Sequence, residues 1–379
     1  MRLLIVSGIW PPDLGGPASH APELAEFVQA HGHEVSVVTT ASSAPATEAY
    51  PVRWVSRSLP AGIRHLAGVV AIARAARAAD VVYATSMTRR AALGAAVARR
   101  PLVLKLTADE AYERERRGGR FAGDLDAFQS HRGGLRVAFL RRTRNWAVGR
   151  ARHVFTPSAY LRELVVGWGI DAARVTVSPN PAPEIAALLR LPPREELRTE
   201  LGLEGPTLAF AGRLMAAKAL DVALAAVAVV PEVTLVIVGD GPDRAALERQ
   251  RDDLGLGDRV RFLGGLSRAG VLRVFRAADA VLLSSRWENF PHVIVEALAV
   301  GTPVIASAVG GVPEVVCDGE NGLLVPAGDA EALAAAIRRL FGDDALRARL
   351  ATAAAPSVES YSAERLLGQI EAELVKVAA

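Results

Sequence analysis

The stretch AVLLSSRWENFPHVIVEALAVGTPVIAS, residues 280–307, decides how the rest of the chain is read. Ala280 to Leu283 is an apolar, strand-like run, and Ser284 to Asn289 is polar and turn-like. Pro291 suits the first turn of a helix, where its missing N–H costs nothing. That helix is predicted to run to about Val300, with Gly301-Thr302-Pro303 ending it and Val304 to Ala306 forming the next strand. Two acids flank the strand-to-helix junction, Glu288 and Glu296, with seven residues between them. Eight helical steps return to within roughly 80° of the starting face and rise about 12 Å. With Glu288 in the loop, the two acids can meet one ligand at different depths. The unpaired N–H groups of the helix start attract anions at the same place. The plainer alternative is a solvated Glu288 and a Glu296 that partners a neighbouring group.

Around this junction the chain alternates Val/Leu/Ile runs with Ala-rich helical segments, which makes it α/β. At 379 residues it exceeds a single core, so two domains are expected. Leu3 to Ser7 reads as a first strand, GIWPPDLGGP (residues 8–17) as a Gly/Pro-rich loop, and Ala18 to His31 as a helix closed by Gly32. Further strands are expected at 34–40, 52–55, 81–84, 102–106, 153–156 and 175–178, giving a doubly wound parallel sheet. Ser178-Pro179-Asn180-Pro181-Ala182-Pro183 is a stiff linker. A second α/β series follows, with strands at 207–210, 234–238, 260–263, 280–283, 304–306 and 323–325 and a last helix over 362–377. The boundaries drawn from this are residues 1–183, 184–360 and 361–379.

Cys317 is the single cysteine, so no intrachain disulfide forms and a reducing, cytoplasmic setting is expected. No signal peptide is legible at the start, and the longest apolar stretch, 219–238, is broken by Asp221, Pro231 and Glu232. Net charge hides an asymmetry. Residues 1–184 hold 24 Lys+Arg and 15 Asp+Glu (+9), and residues 185–379 hold 20 and 26 (−6), which sum to +3. Eleven arginines fall within residues 113–152. They suit either a solvated helical face or docking on an anionic membrane or phosphorylated acceptor. No nucleic-acid-binding signature accompanies them. Asp124-Leu125-Asp126 has a D-x-D spacing but no strand before it, and is read as a surface pair or helix cap rather than a metal site.

Three further strand ends join the opening stretch. Phe210-Ala211-Gly212-Arg213-Leu214 leads to Lys218, expected to start a helix. Val238-Gly239-Asp240-Gly241-Pro242 is a glycine-bearing strand-to-helix turn, and Arg261-Phe262-Leu263-Gly264 ends a strand with permissive backbone. Ligands of open parallel sheets sit beyond the carboxyl ends of strands, so the coincidence points to a nucleotide-diphosphate site. An arginine there offers a fork to phosphate oxygens and a lysine a point charge. The G-x-G-x-x-G fingerprint is absent.

The ordered set AGRL…K, VGDGP, E-x7-E and GGVPEVV…GENGLLV resembles the retaining glycosyltransferases of family 4. The likeness is strong from about Phe210 to Val325 and weaker at the GIWPPDLGG loop. It implies the GT-B fold, two Rossmann-like domains facing across a cleft with a C-terminal helix crossing back to the first. By that resemblance Arg213 and Lys218 hold the donor diphosphate and Glu288 touches sugar hydroxyls. The backbone of Asn289, Phe290, Pro291, His292 and Val293 lines sugar and phosphate. Glu296 holds the ribose, and Leu263 contacts the base. Gly212 and Gly239 are donor-binding, with Gly15 and Gly16 approaching from the first domain. The implied reaction is transfer with retention from a UDP- or GDP-linked sugar, without a metal or other cofactor. The expected acceptor is a glycan, lipid-linked or small molecule; peripheral contact at an anionic inner membrane face is one of the two readings of the arginine-rich segment, and no nucleic acid is expected. Where relatives often carry a first-domain histidine, this chain has Thr107-Ala108-Asp109-Glu110, so Asp109 and His20 are the acceptor-side candidates, each with a plainer reading as helix cap or packed helix residue. A nucleotide-sugar epimerase of the same fold and a non-catalytic nucleotide-sugar sensor are the alternatives.

Overall fold

The computed structural model describes every residue but 14, 15, 46 and 47, and no side chain is described at 16–19, 185 or 186. The chain divides into two compact units: residues 1–180 with 364–379, and residues 181–363.

Unit 1 runs β1 (Arg2–Val6), α1 (Gly16–Ala30), β2 (Glu34–Ala41), β3 (Val52–Ser56), α2 (Ala61–Ala76), β4 (Val81–Ala84), α3 (Thr88–Ala98), β5 (Leu102–Lys105), α4 (Glu110–Arg117), α5 (Leu125–Ser130), α6 (Gly134–Gly149), β6 (His153–Thr156), α7 (Ala159–Gly167) and β7 (Val175–Val177). Unit 2 runs α8 (Ile185–Leu189), α9 (Arg194–Leu201), β8 (Thr207–Ala211), α10 (Leu220–Ala228), β9 (Thr234–Val238), α11 (Arg244–Asp253), β10 (Val260–Gly264), α12 (Arg268–Ala277), β11 (Ala280–Leu283), α13 (His292–Ala299), β12 (Val304–Ser307), β13 (Gly322–Val325), α14 (Ala330–Gly342) and α15 (Asp344–Ala354). The last helix, α16 (Ala363–Ala378), belongs to unit 1 from Glu364 onward.

Both sheets are parallel. Their orders are β3-β2-β1-β4-β5-β6-β7 and β10-β9-β8-β11-β12-β13. Each therefore reverses direction once, between β1 and β4 and between β8 and β11, and a crevice opens at such a point beyond the strand carboxyl ends. The inner strands are largely apolar because both faces are covered, whereas the edge strand β3 exposes Arg53 and Trp54. In unit 2 Leu208, Phe210, Ile237, Leu282 and Ile305 fill one layer, while Ala209, Val236, Val281, Leu283 and Ala306 fill the other. The period of two along each strand separates the sets.

Helix α16 buries Leu366, Leu367, Ile370 and Leu374. Its Glu371 meets His31 at 2.8 Å and His33 at 3.1 Å, and Glu373 lies 3.2 Å from His153 of β6.

Much of the arginine-rich segment is internal glue. Arg120 and Arg136 share Glu115, at 3.2 and 2.8 Å. Arg144 is buried against Asp109, its guanidinium carbon 3.7 Å from the centre of the Trp168 ring. Arg141 covers Phe128. What faces outward on α6 is a stripe of Leu135, Phe139 and Trp146 at helical spacing, with Arg142 among them. Among the described residues no helix is long and apolar enough to cross a membrane.

Candidate functional site

In unit 2 the reversal of strand order lies between β8 and β11, and the loops after these two strands are stitched together. After β8 the chain passes Gly212, Arg213 and Leu214 into a single 3-10 turn, Ala216–Lys218. Lys218 thus closes that turn, with Ala219 left-handed (φ 48°), and does not open α10 as the sequence suggested. From the β11 side the Ser284 hydroxyl donates to the Lys218 carbonyl at 2.8 Å. The Arg286 amide donates to the Ala217 carbonyl at 2.9 Å, and its guanidinium pairs with Asp221 at 2.9 Å.

This stitching fixes an ion pair across the junction. Lys218 Nζ donates to Glu288 Oε1 at 2.5 Å, and the Ser285 hydroxyl donates to the same oxygen at 2.7 Å. Glu288 is buried, with 9% of its surface exposed. An ammonium has three N–H donors, so Lys218 keeps two for another acceptor. Arg213, five residues before Lys218, is exposed, with no hydrogen bond or ion pair among the described residues.

Glycines set the floor. The Gly212 amide donates to Val238 O at 3.0 Å, the Leu214 amide to Asp240 O at 3.0 Å, and the Gly239 amide to Gly264 O at 2.7 Å. A Cβ on Gly239 would overlap the Gly212 carbonyl, and one on Gly241 the Leu214 carbonyl. Gly239 also holds φ 131°, a conformation side chains resist. The ends of β8, β9 and β10 are therefore a single laced backbone surface, with Leu263 part-exposed at its rim.

Helix α13 begins at this edge. Pro291 is its N-cap residue rather than a member of the first turn, and no side chain caps it. Proline offers no side-chain oxygen to the helix start, whose positive end suits an anion. Asn289 and Phe290 are buried; the Phe290 ring packs edge-on against Tyr361, 5.9 Å between centroids. His292 and Val293 are part-exposed. Glu296, one turn on, accepts from Arg268 Nε at 2.8 Å. Burial pushes the Glu296 carboxyl up, and Arg268 draws it back. Sequence reasoning missed Arg268, Ser284, Ser285 and Arg286; the two serines and Arg286 were visible only as loop polarity.

The first-domain candidates fare differently. Gly15 lies outside the described residues, and Gly16 is the first residue of α1. His20 is buried with Nε2 2.8 Å from the Tyr83 hydroxyl, which fits a packed helix histidine. Asp109, the other acceptor-side candidate, is engaged within unit 1. It is fully buried, caps α4 by accepting from the Ala111 and Tyr112 amides, and pairs with the buried Arg144. Its carboxylate is committed to the fold. Asp124 caps α5 and Asp126 accepts from the Tyr160 hydroxyl at 3.0 Å, in line with the capping reading. Among the described residues no acid, histidine or cysteine cluster suits a metal ion.

Two open parallel sheets, one carrying a cationic, glycine-floored crevice at its switch point, define a protein of the GT-B fold. A family model described as "Glycosyl transferases group 1" matches residues 193–356, and one described as "Glycosyl transferase 4-like domain" matches residues 15–181. The chain belongs to glycosyltransferase family 4. A curated relative, the D-inositol 3-phosphate glycosyltransferase of Mycobacterium marinum, is 40% identical over 204 residues, 51% of this chain and 43% of that protein. The Mycobacterium leprae enzyme of the same name is 41% identical over 172 residues, 43% of this chain and 40% of its own. The matched region thus spans less than half the length of these relatives. Among solved structures, Anabaena HepE in complex with UDP has a TM-score of 0.79 at 24% identity, covering 99% of this chain and all of that one. The sucrose-phosphate synthase of Thermosynechococcus elongatus has a TM-score of 0.81 at 22% identity, covering 99% and 98%. These two likenesses are likenesses of fold.

Proposed function

We propose that this chain is a retaining glycosyltransferase that moves a sugar from a UDP- or GDP-linked donor to a glycan, lipid-linked or small-molecule acceptor, in building cell-surface polysaccharide or glycoconjugate. The observation that carries the reading is the switch point of unit 2, where the exposed Arg213 and the Glu288-held Lys218 follow β8 and the loop after β11 leads through Glu288 into α13. HepE, of the same fold, has been solved with UDP and with UDP-glucose, which supports a nucleotide-sugar ligand at this edge.

The chemistry asked of the site is charge stabilisation. As the bond from sugar to phosphate lengthens, negative charge grows on the diphosphate and positive charge on the sugar ring. Arg213, Lys218 and the α13 helix end are pre-aimed at the first of these. They supply positive charge that a divalent metal would otherwise bring, so turnover is expected without one. Glu288 aligns Lys218 and takes a sugar hydroxyl. Glu296 holds the ribose, with Arg268 keeping it oriented. Gly15 and Gly16 keep the role that the family resemblance gives them, close approach of backbone to the donor.

A thermal-shift screen of UDP-, GDP- and ADP-sugars, with and without EDTA, tests this. A ligand at about 100 times its dissociation constant stabilises by roughly 2.7 kcal/mol. The expected result is one nucleotide class whose shift survives EDTA and vanishes in Arg213→Ala. An unchanged shift and unchanged turnover in that variant would sink the site assignment. Anomeric configuration of the product, read by NMR, decides retention.

The basic first half and the Leu135, Phe139 and Trp146 stripe support peripheral contact with an anionic membrane. Cosedimentation with anionic vesicles should fall sharply in a Leu135→Asp, Phe139→Asp variant, and equal binding by that variant would reject the contact.

A further inference from the structure

The donor edge of unit 2 is built from elements on both sides of the point where strand order reverses, with β10, β9 and β8 on one side and β11 on the other. One ion pair ties the two sides together through their helices. Arg268 opens α12, after β10, and its Nε donates to Glu296 Oε1 of α13, after β11, at 2.8 Å. The Arg268 side chain is 47% exposed and that of Glu296 only 13%, so a surface residue reaches down onto a buried acid. The local sequence sets up this reach. Ser267 caps α12 by accepting from the Gly270 amide at 3.2 Å, which places Arg268 in the first turn. The loop before it, Gly264-Gly265-Leu266, is anchored at its start, where the Gly264 carbonyl accepts from the Gly239 amide at 2.7 Å. The loop thus has two fixed ends, Gly264 on the β9 turn and Arg268 on α13. Leu263, which meets the base in the reading above, stands immediately before the first of them.

Glu296 needs this partner. Burial favours its neutral form, and Arg268 opposes that by charge and by hydrogen bond. On the same helix His292 lies one turn before Glu296, and beyond the helix start Lys218 is held by Glu288. The turn 356–361 and α15, also packed on α13, carry Glu359, Asp344, Arg347 and Arg349, none of which displaces Glu296. β11 and β12 bring no charge to it. An ionised carboxylate is a pure acceptor with about four lone-pair sites, and Arg268 Nε takes one. A protonated carboxyl spends one oxygen as a donor. The ionised form alone can keep its arginine and still accept from two neighbouring hydroxyls.

We propose that Arg268 is a positioning residue for the nucleoside end of the donor. It holds the Glu296 carboxylate to accept both hydroxyls of a ribose, and it ties the loop that meets the base to the helix that meets the ribose. That Glu296 takes the ribose rests on the transferase reading above; the part played by Arg268 is additional to it. The diphosphate is left to Arg213 and Lys218, so loss of Arg268 is felt at the nucleoside. A deoxyribose offers one hydroxyl to a site held ready for two, and a buried acceptor left without its donor is costly. The pair therefore selects ribonucleotides over deoxyribonucleotides.

Calorimetry on the full chain tests this with UDP, GDP and their 2′-deoxy counterparts at pH 5.5 and pH 8. Arg268→Gln should weaken ribonucleotide binding about tenfold at pH 8, the worth of one charged hydrogen bond, and further at pH 5.5, where the unsupported carboxyl takes up a proton. Each variant is compared with the natural chain at the same pH, so ionisation of the nucleotide cancels. Discrimination against the 2′-deoxy form should shrink with it. Arg268→Lys, which keeps the charge, should recover affinity at pH 5.5. In a Glu296→Gln background, which has no carboxyl to titrate, Arg268→Gln should have no pH-dependent effect. Melting temperatures confirm that each variant is folded. Equal affinity of Arg268→Gln and the natural chain at both pH values overturns the proposal, as does unchanged 2′-deoxy discrimination or an Arg268→Lys variant no better than Arg268→Gln. In those cases nucleotide binding by the natural chain leaves the transferase reading standing. If neither UDP nor GDP binds the natural chain, that reading falls and the role of Arg268 with it.

Discussion

At Lys105 an amine ends a strand whose other three residues are aliphatic. It is 1% exposed, and its Nζ reaches the Pro179 carbonyl at 3.4 Å. Burial lowers its pKa to about 7. The unfolded chain takes up this proton below about 10.5, the folded chain only below about 7. Between those values the unfolded state binds more protons, so stability rises with pH, and below them it is flat in this group. The slope is at most about 1.4 kcal/mol per pH unit. Denaturant melts from pH 7 to 9 should show that rise in the natural chain and its absence in Lys105→Met. Asp109 makes the opposite point. Asp109→Asn keeps a capping side chain but leaves Arg144 buried and unpaired, an expected loss of roughly 3–5 kcal/mol. If the melting temperature held while turnover fell, Asp109 would be a catalytic group after all. The sequence offered both roles for Asp109. It could not show Arg144, thirty-five residues on, which pairs with that carboxylate. Arg213 and Glu288 were legible because each follows a strand directly.

Elements were more readable than contacts. Strands β4, β6, β9 and β11 fall where the Val/Leu/Ile runs place them, and the others differ by a residue or two. Fully buried parallel strands announce themselves as unbroken apolar runs, whereas a turn such as Ala216–Lys218 carries no such pattern. The glycines of the β9 turn could be seen, but their necessity could not. It arises from the Gly212 and Leu214 carbonyls of another strand end. Gly239→Ala should therefore misplace the β8 loop as well as its own. We expect a loss of roughly 2–4 kcal/mol and of nucleotide-sugar binding together. A thermal melt with and without donor measures both, and a variant that keeps donor affinity would show that the close approach is not needed.

For the whole molecule, composition and alternation were enough to give two α/β units, and the Pro-rich linker marked where the first crossing falls. The assignment of α16 to unit 1 was implied by family resemblance and not by its amphipathic pattern, which any surface helix shares. Removing residues 364–379 would uncover the surface that Leu366, Leu367, Ile370 and Leu374 bury, each worth about 1.5–3 kcal/mol. Calorimetry of the truncated chain should show the unit 1 transition lowered or lost and that of unit 2 retained. A single unshifted melt would mean the helix is dispensable.

The same arrangement makes unit 2 an insertion, placed between residues 180 and 364 of its neighbour. A ribosome delivers a chain from its first residue, and domains commonly mature in that order. Here the order is inverted. Every residue of unit 2 has been synthesised before the sixteen that complete unit 1 leave the exit tunnel. The part made first is finished last, and until then its docking face for α16 stays uncovered.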